Sequence, residues 1–402
     1  MKLLIYTHSF APTIGGVETY AMHLARGLTN RSTRKHNEGI DVIVATMAKR
    51  GDFDDAALPF RTVRCPTLWT LLRLVQHCDV LVLAGPCLWP MFLAWVLRRP
   101  FVVEQHGYQC VCPNGMLLFD RKAVCRGHFM AKQHLKCLHC NRSLGVFASS
   151  KLWFLTFPRR WLCNHASANI AITNHVAQRL QLQKSRTIYY GVPIEPKASS
   201  CTVCSGGGAV VLCFAYSGRL VTEKGLGTLI KAAAILQQAG ANFQLKFIGD
   251  GPERSVLEQQ VVEYSLESRV TFTGFLAGQS LSAALSDVAV VIMPSIWEET
   301  AGLSAIEQMM RGRLVICSDI GGLGEVADGV GLKFRAGDAT ELAKLMRRVI
   351  DDPQVVRQLG AAARERALQL FSLERMINDH LALLSGMLND KGFEIKALPD
   401  LR

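Results

Sequence analysis

Two fixed cations flank a short turn in the second half of the chain, in the run Ser217-Gly218-Arg219-Leu220-Val221-Thr222-Glu223-Lys224-Gly225, directly after an apolar stretch. Arg and Lys placed in this way can neutralise a diphosphate without a metal ion. Further on, the run Met293-Pro294-Ser295-Ile296-Trp297-Glu298-Glu299-Thr300-Ala301-Gly302-Leu303-Ser304-Ala305-Ile306-Glu307 puts one carboxylate, Glu299, in a loop after a strand. A second, Glu307, falls in the second turn of a helix that begins near Gly302. The first-turn N–H groups of such a helix have no intrahelical partners and form a natural phosphate site. Carboxylates on either side can accept hydrogen bonds from sugar hydroxyls. Between these runs, Ile248-Gly249-Asp250-Gly251-Pro252 is a tight turn after a buried strand. It reads equally as an ordinary strand-to-helix turn and as a ligand contact. A basic turn alone is usually just solvated, and one glutamate can serve as a helix cap, but neither accounts for both carboxylates.

The elements that must position these residues are short apolar strands alternating with helices. In the first half, strand patterns at 3–6, 42–45, 80–83, 101–103 and 170–172 are separated by helical stretches such as 17–28 and 175–182. After a Ser/Gly-rich linker between Ala198 and Gly208 the pattern restarts, with strands at 210–216, 244–248, 270–273, 288–293 and 314–317. Strands of this length between helices indicate a parallel sheet covered on both faces. The spacing predicts an α/β protein of two doubly wound, Rossmann-like domains facing a cleft, and such sheets bind ligands beyond the carboxyl ends of their strands. The expected domains are 1–198, with a Cys-rich insertion at about 108–165, and 209–372. A final amphipathic helix, 373–390, carries Met376, His380, Leu381 and Leu384 in helical register and is expected to pack back on the first domain. The tail after Asn389 reads as loosely held.

Taken together these segments resemble the retaining glycosyltransferases of family 4, whose signature is two Glu separated by seven residues, the relation of Glu299 to Glu307. The Gly-Arg-Leu-x-x-x-Lys-Gly turn, the Gly-Asp-Gly-Pro turn and Gly321-Gly322-Leu323-Gly324-Glu325 recur in that family in this order. Pro12-Thr13-Ile14-Gly15-Gly16-Val17-Glu18 and Glu104-Gln105-His106-Gly107 also match, so the resemblance spans roughly residues 1–388. It implies the GT-B fold and transfer of a sugar from a nucleotide-sugar donor, UDP- or GDP-linked, to a hydroxyl of a glycan or lipid-linked acceptor. It further implies that Arg219 and Lys224 hold the donor diphosphate, that Glu307 binds the ribose, and that Glu299 binds the transferred sugar. Backbone amides at Gly302 and Leu303 would contact the diphosphate or sugar, Gly15 and Gly16 would let the first-domain loop approach the donor, and His106 would sit at the reacting side of the sugar. No catalytic metal is expected, because the two cations and the helix N-terminus stabilise the leaving diphosphate. One departure matters: members usually carry Gly-Phe-Gly or a similar triplet after the first Glu, where this chain has Thr300-Ala301-Gly302. That change bears on sugar identity, and it is the one feature that favours a non-catalytic nucleotide-sugar-binding module.

Bulk properties narrow the setting. The chain has 402 residues, 49% of them apolar, and a net charge of +12. Residues 1–200 hold 25 Lys/Arg against 10 Asp/Glu, and the remainder holds 20 against 23, so the whole excess belongs to the first half. This asymmetry suggests an anionic partner such as a membrane surface or a phosphorylated substrate. Nucleic acid is disfavoured, because the charge is dispersed and no helix-turn-helix or zinc-finger spacing is present. No run is long enough to span a membrane. The best candidate, 83–97, is interrupted by Pro86 and Pro90 and reads as a buried helix. The segment 151–162, which mixes Trp153 and Trp161 with Arg159 and Arg160, reads either as a peripheral membrane contact or as core. With no signal-peptide pattern at the N-terminus the expected location is the cytoplasm, where disulfides are rare. Cys112, Cys125, Cys137 and Cys140, the last two as Cys-x2-Cys, are therefore candidates for a structural zinc site, a redox-sensitive patch or unconnected buried thiols. Cys201 and Cys204 form a second Cys-x2-Cys that can complete a different site with Cys137 and Cys140. Asp52-Phe53-Asp54 is assigned no role.

Overall fold

The computed structural model describes residues 1–33, 39–197, 204–206 and 209–389. Its strands are β1 (Lys2–Thr7), β2 (Asp41–Thr46), β3 (Arg61–Arg64), β4 (Val80–Ala84), β5 (Phe101–Gln105), β6 (Leu118–Phe119), β7 (Ala123–Val124), β8 (Ala168–Ala171) and β9 (Ser185–Thr187). They continue with β10 (Cys204–Gly206), β11 (Ala209–Ser217), β12 (Phe243–Ile248), β13 (Val270–Gly274), β14 (Val290–Met293), β15 (Leu314–Ser318) and β16 (Leu332–Phe334). The chain divides into two compact units. One comprises Met1–Gly115, Gly127–Pro193 and the residues from Ser372 on; the other comprises Met116–Arg126 and Ile194–Phe371.

In the first unit the sheet order is β3-β2-β1-β4-β5-β8-β9, parallel throughout. Every residue of β4 and β5 is buried; β4 is the continuous Val/Leu run that helices on both faces require, and β5 ends on buried Glu104 and Gln105. The last helix, Leu373–Asn389, packs against the helix Gly16–Thr33. It is tied in by the bridge between Val192 and Ser372 and by Leu373 N–H donating to the Val192 carbonyl at 2.9 Å. The second unit repeats the plan with the order β13-β12-β11-β14-β15-β16. In each sheet the chain builds outward from one central strand, then crosses to its other side. The switch points therefore lie between β1 and β4 and between β11 and β14, and the loops leaving those strands emerge side by side.

Two expectations change here. The 198–208 stretch contains the short strand β10, antiparallel to β11, where only linker was expected; residues 198–203 and 207–208, Cys201 among them, lie outside the described residues. The 83–97 run is the end of β4 followed by the helix Leu88–Val96, and that helix is not buried all round. Pro90, Met91 and Ala94 face inward, while Trp89, Phe92, Trp95 and Val96 are exposed. An all-apolar sequence carries no periodic signal from which to tell its wet face from its dry one.

Candidate functional site

The loops after β11 and β14 meet at the second switch point. After β11 the chain turns through a 3₁₀ turn, Thr222–Lys224, and Tyr216 Oη donates to the Arg219 carbonyl at 2.8 Å, fixing the turn. The loop after β14 comes back against it, with Ile296 N–H donating to the Glu223 carbonyl at 3.0 Å. Lys224 Nζ thereby reaches Glu299 Oε1 at 2.8 Å. The Glu299 side chain is almost fully buried and also accepts a short hydrogen bond from Ser295 Oγ. The Lys224 ammonium lies 5.9 Å from the centroid of the Trp297 ring, within cation–π range. Arg219, on the same turn, is exposed. The Glu299 carbonyl accepts from Gly322 N–H, which ties this loop to the helix Gly321–Val326.

Gly302 is the N-cap of the helix Leu303–Met310, with φ of +80° and no capping side chain. A Cβ at this position would sit 2.7 Å from Leu323 Cδ1 and 3.6 Å from Glu299 Oε2, so only glycine leaves the first turn open beside the carboxylate. Glu307 is half-buried one turn further along. Burial pushes its carboxyl up, nearby Arg311 pulls it back, and Glu195 pushes it up again. A cation held against a buried carboxylate, an exposed guanidinium, an uncapped helix start and a second carboxylate form an anion-and-hydroxyl-binding set. The motif reading had named all of these except Ser295 and Trp297. Their signal was their place inside the same loop, four and two residues before Glu299.

In the first unit, His106 follows β5 directly. Its Nδ1 lies 2.7 Å from Tyr190 Oη and its Nε2 lies 3.2 Å from Glu104 Oε2, and the ring stacks on Tyr190. Glu104 is fully buried and also receives Tyr20 Oη at 2.9 Å and His380 Nε2 at 3.2 Å. Burial alone would raise this carboxyl. The hydrogen bonds and charges of His106 and His380 outweigh it and hold the group down at about 2. Both ring nitrogens of His106 are thus engaged by the protein itself, a commitment that its position in the motif did not reveal. Glu104, Tyr20, Tyr190 and His380 went unrecognised as a group because their sequence separations carry no pattern. Gly15 and Gly16 lie at the start of the helix Gly16–Thr33, where the Glu18 side chain folds over Gly15; a Cβ on Gly15 would be 2.4 Å from Glu18 Oε2.

A zinc site gathers its sulfurs about 2.3 Å from one point. Among the described residues no group of three or more His, Cys, Asp or Glu side chains is arranged to hold a metal ion, so Cys112, Cys125, Cys137 and Cys140 do not assemble one. The Cys112 thiol donates to Asn114 Oδ1 at 3.0 Å, the Asn114 Nδ2 lies 4.0 Å from Cys140 Sγ, and Cys137 is buried on the helix His134–Cys140. Cys125 follows β7 in the segment that groups with the second unit, whereas the other three belong to the first. Elsewhere, the Cys110 and Cys163 sulfurs sit 3.4 Å apart as buried thiols, and burial pushes Cys110 well up.

Two parallel, doubly wound units, each with its own switch point, define the GT-B class of fold. HepE of Anabaena in complex with UDP is similar, with a TM-score of 0.72 over 96% of this chain and 100% of that one, at 19% identity. Sucrose-phosphate synthase of Thermosynechococcus elongatus gives 0.71 over 97% and 100%, at 21% identity. In sequence, residues 14–196 match the model for Glycosyltransferase Family 4 and residues 212–366 the model for Glycosyl transferases group 1. Alpha-D-kanosaminyltransferase of Streptomyces kanamyceticus is 32% identical over 308 residues, which is 75% of this chain and 74% of that protein. The chain belongs to the family 4, group 1 glycosyltransferases. It also resembles 2-deoxystreptamine glucosyltransferase of the same organism, at 38% identity over 161 residues, a match that covers 40% of this chain and only 41% of that relative's length.

Proposed function

We propose that this chain transfers a hexose-like sugar from a UDP- or GDP-sugar to a hydroxyl of a glycan or lipid-linked acceptor, with retention at the anomeric carbon. One observation carries the reading: Lys224 and Glu299, 2.8 Å apart, stand at the switch point beside the glycine-capped helix that bears Glu307. Lys224, Arg219 and the amides of Gly302 and Leu303 receive the diphosphate, while Glu307 accepts from ribose hydroxyls and Glu299 from the sugar. Gly15 and Gly16 border the donor, and His106 faces the reacting side of the sugar. The bond from the anomeric carbon to the phosphate oxygen breaks as the bond to the acceptor oxygen forms on the same face. The acceptor proton passes to the departing diphosphate, so the chain needs no nucleophile. Negative charge grows on that diphosphate, and the fixed cations and helix start stabilise it there.

The UDP complex of HepE supports a uridine donor. 2-Deoxystreptamine is a diamine; a first half with 25 Lys/Arg against 10 Asp/Glu suits a neutral or anionic acceptor better. Thermal unfolding with UDP, GDP, ADP and their sugars tests the donor site. A ligand at about 100 times its dissociation constant adds about 2.7 kcal/mol to the folded state. No shift with any nucleoside diphosphate would remove the reading. A shift with neither transfer nor hydrolysis would favour the binding-module alternative raised by Thr300-Ala301-Gly302. Transfer is expected to survive EDTA; loss restored by magnesium or manganese would overturn the metal-independent leaving-group role of Arg219 and Lys224.

A further inference from the structure

The helix Val146–Asn164 carries Phe147, Phe154 and Trp161 at intervals of seven, two helical turns, so they share one stripe. A stripe with this spacing ordinarily faces the core. Here the three are 83%, 63% and 45% exposed, with exposed Lys151 between the first two. The neighbouring helix Leu88–Val96 shows Trp89, Phe92 and Trp95 on its outer side. The two sets meet where Trp95 touches Trp161. Centroids are 6.4 Å apart from Trp89 to Phe92, 6.2 Å from Phe92 to Trp95, 5.0 Å from Trp95 to Trp161 and 4.2 Å from Trp161 to His165. At its lower end this run borders an open depression of about 600 Å³ lined by Trp95, Arg98, Arg99 and His165.

Neither helix of this face carries an Asp or Glu. The sequence contains no Asp or Glu between Asp79 and Glu104, and none between Asp120 and Glu195. The two arginines singled out beside Trp161 are not the outward ones. Arg159 donates to the Pro86 carbonyl at 3.2 Å and Arg160 to the Leu180 carbonyl at 2.7 Å, so both hold the fold. The cations that look outward are Lys151, Arg98 and Arg99, the last also anchored on the Gln76 carbonyl.

We propose that these two helices form a docking surface for an anionic lipid bilayer, with the aromatic run at the headgroup–hydrocarbon boundary and Lys151, Arg98 and Arg99 against lipid phosphates. Trp rings with cations at their edge match that boundary chemically. Among the described residues no helix is long and apolar enough to cross a membrane, so the contact lies on the surface. A second copy of the chain fits less well, because an isologous contact would set the same cations against each other with no carboxylate between them. A glycan fits less well because the helix Leu88–Val96 bears no Asp, Glu, Asn or Gln to bond sugar hydroxyls, and interplanar angles of 82°, 34° and 73° along the run make no flat platform. The inference stands apart from the transfer reading.

The test is co-sedimentation with vesicles of phosphatidylcholine alone or mixed with phosphatidylglycerol. The chain is expected to pellet with the mixed vesicles at low salt and to be released as salt rises. Trp89→Ser/Phe92→Ser/Trp95→Ser should abolish pelleting. Arg98→Asn and Lys151→Gln should each weaken it about fivefold; Asn is chosen because Arg98 sits at φ of +54°, which Asn tolerates. Far-ultraviolet circular dichroism and nucleotide-induced thermal shifts of the variants show that they fold, and a wild type that pellets without any nucleotide shift would sink only the transfer reading. Absence of pelleting with mixed vesicles, or pelleting unchanged by the triple substitution, would overturn the proposal. A lipid-independent dimer dissolved by the triple substitution would assign the face to a second copy, and retardation of the chain in a polysaccharide gel without vesicle binding would assign it to a glycan.

Discussion

At the scale of single residues the proposed donor set is balanced within itself. Lys224 pairs with Glu299 at 2.8 Å; on the proposed reading a diphosphate draws the ammonium away and leaves the carboxylate to sugar hydroxyls. Lys224→Ala is expected to weaken nucleoside diphosphate binding about 10- to 100-fold, the range for lost charged hydrogen bonds. It should also lower stability, since Glu299 would remain buried without its cation. Calorimetry with the bare nucleotide measures the first effect, and unchanged affinity would remove the phosphate role. Glu307 behaves oppositely. Its folded carboxyl is raised above the ordinary 4.5, so the unfolded chain gives up that proton first. Ionised Glu307 therefore costs stability, a cost that sets in as pH rises past about 4.5 and is complete above the folded value. At neutral pH Glu307→Gln should raise the melting temperature while weakening nucleotide binding, a trade of stability for function. A lower melting temperature with intact binding would place Glu307 in the scaffold instead.

At the scale of elements, legibility followed periodicity and punctuation. Strands β4, β5, β14 and β15 were readable because short Val/Leu/Ile runs ended at glycines, prolines or polar turns. Their order was readable because strands separated by helices run parallel. Arg219, Lys224, Glu299 and Glu307 were legible as candidates because they stand on the turns and the helix that follow such strands. The helix Leu88–Val96 misled because it is apolar on every side, and the choice left open at Arg159 and Arg160 could not be made because a carbonyl partner leaves no trace in the sequence. The cysteine spacing matched a zinc bite, but spacing does not say where a hairpin such as β6–β7 carries its residues. Gly225 shows what a turn glycine can hide. It has φ of +64°, and a Cβ there would be 2.2 Å from the Pro294 carbonyl oxygen, so the basic turn and the Glu299 loop touch only because it is glycine. Gly225→Ala should destabilise the protein by roughly 1–3 kcal/mol from the strained backbone alone. By pushing the two loops apart it should also cut nucleotide affinity. Urea unfolding and calorimetry read the two effects separately, and a variant that loses neither would deny the close approach any role.

At the scale of the whole chain, one buried carboxylate of the first unit gathers elements that are remote in sequence. Glu104 at the end of β5 is bonded to Tyr20 of the helix Gly16–Thr33, to His106 and to His380 of the last helix. No local pattern announces such a hub, since two of its three partners lie 84 and 276 residues away. Its consequence is acid sensitivity with a defined sign. The folded value, about 2, lies below the ordinary 4.5, so the stabilisation is fully present above about 4.5 and is lost as pH falls through 2. A depression of that size corresponds to something on the order of 3 kcal/mol. Glu104→Gln should lose a comparable amount at neutral pH and show a flatter decline below pH 4.5 than the wild type. Urea midpoints measured across that range decide the matter. Parallel acid limbs for variant and wild type would mean that other carboxylates carry the acid response. His380→Gln separates anchoring from ionisation, because it keeps the carboxylate but removes one of its two imidazole partners. It should lift the Glu104 value, shift the onset of acid loss upward and loosen the last helix, read as faster amide exchange along Leu373–Asn389.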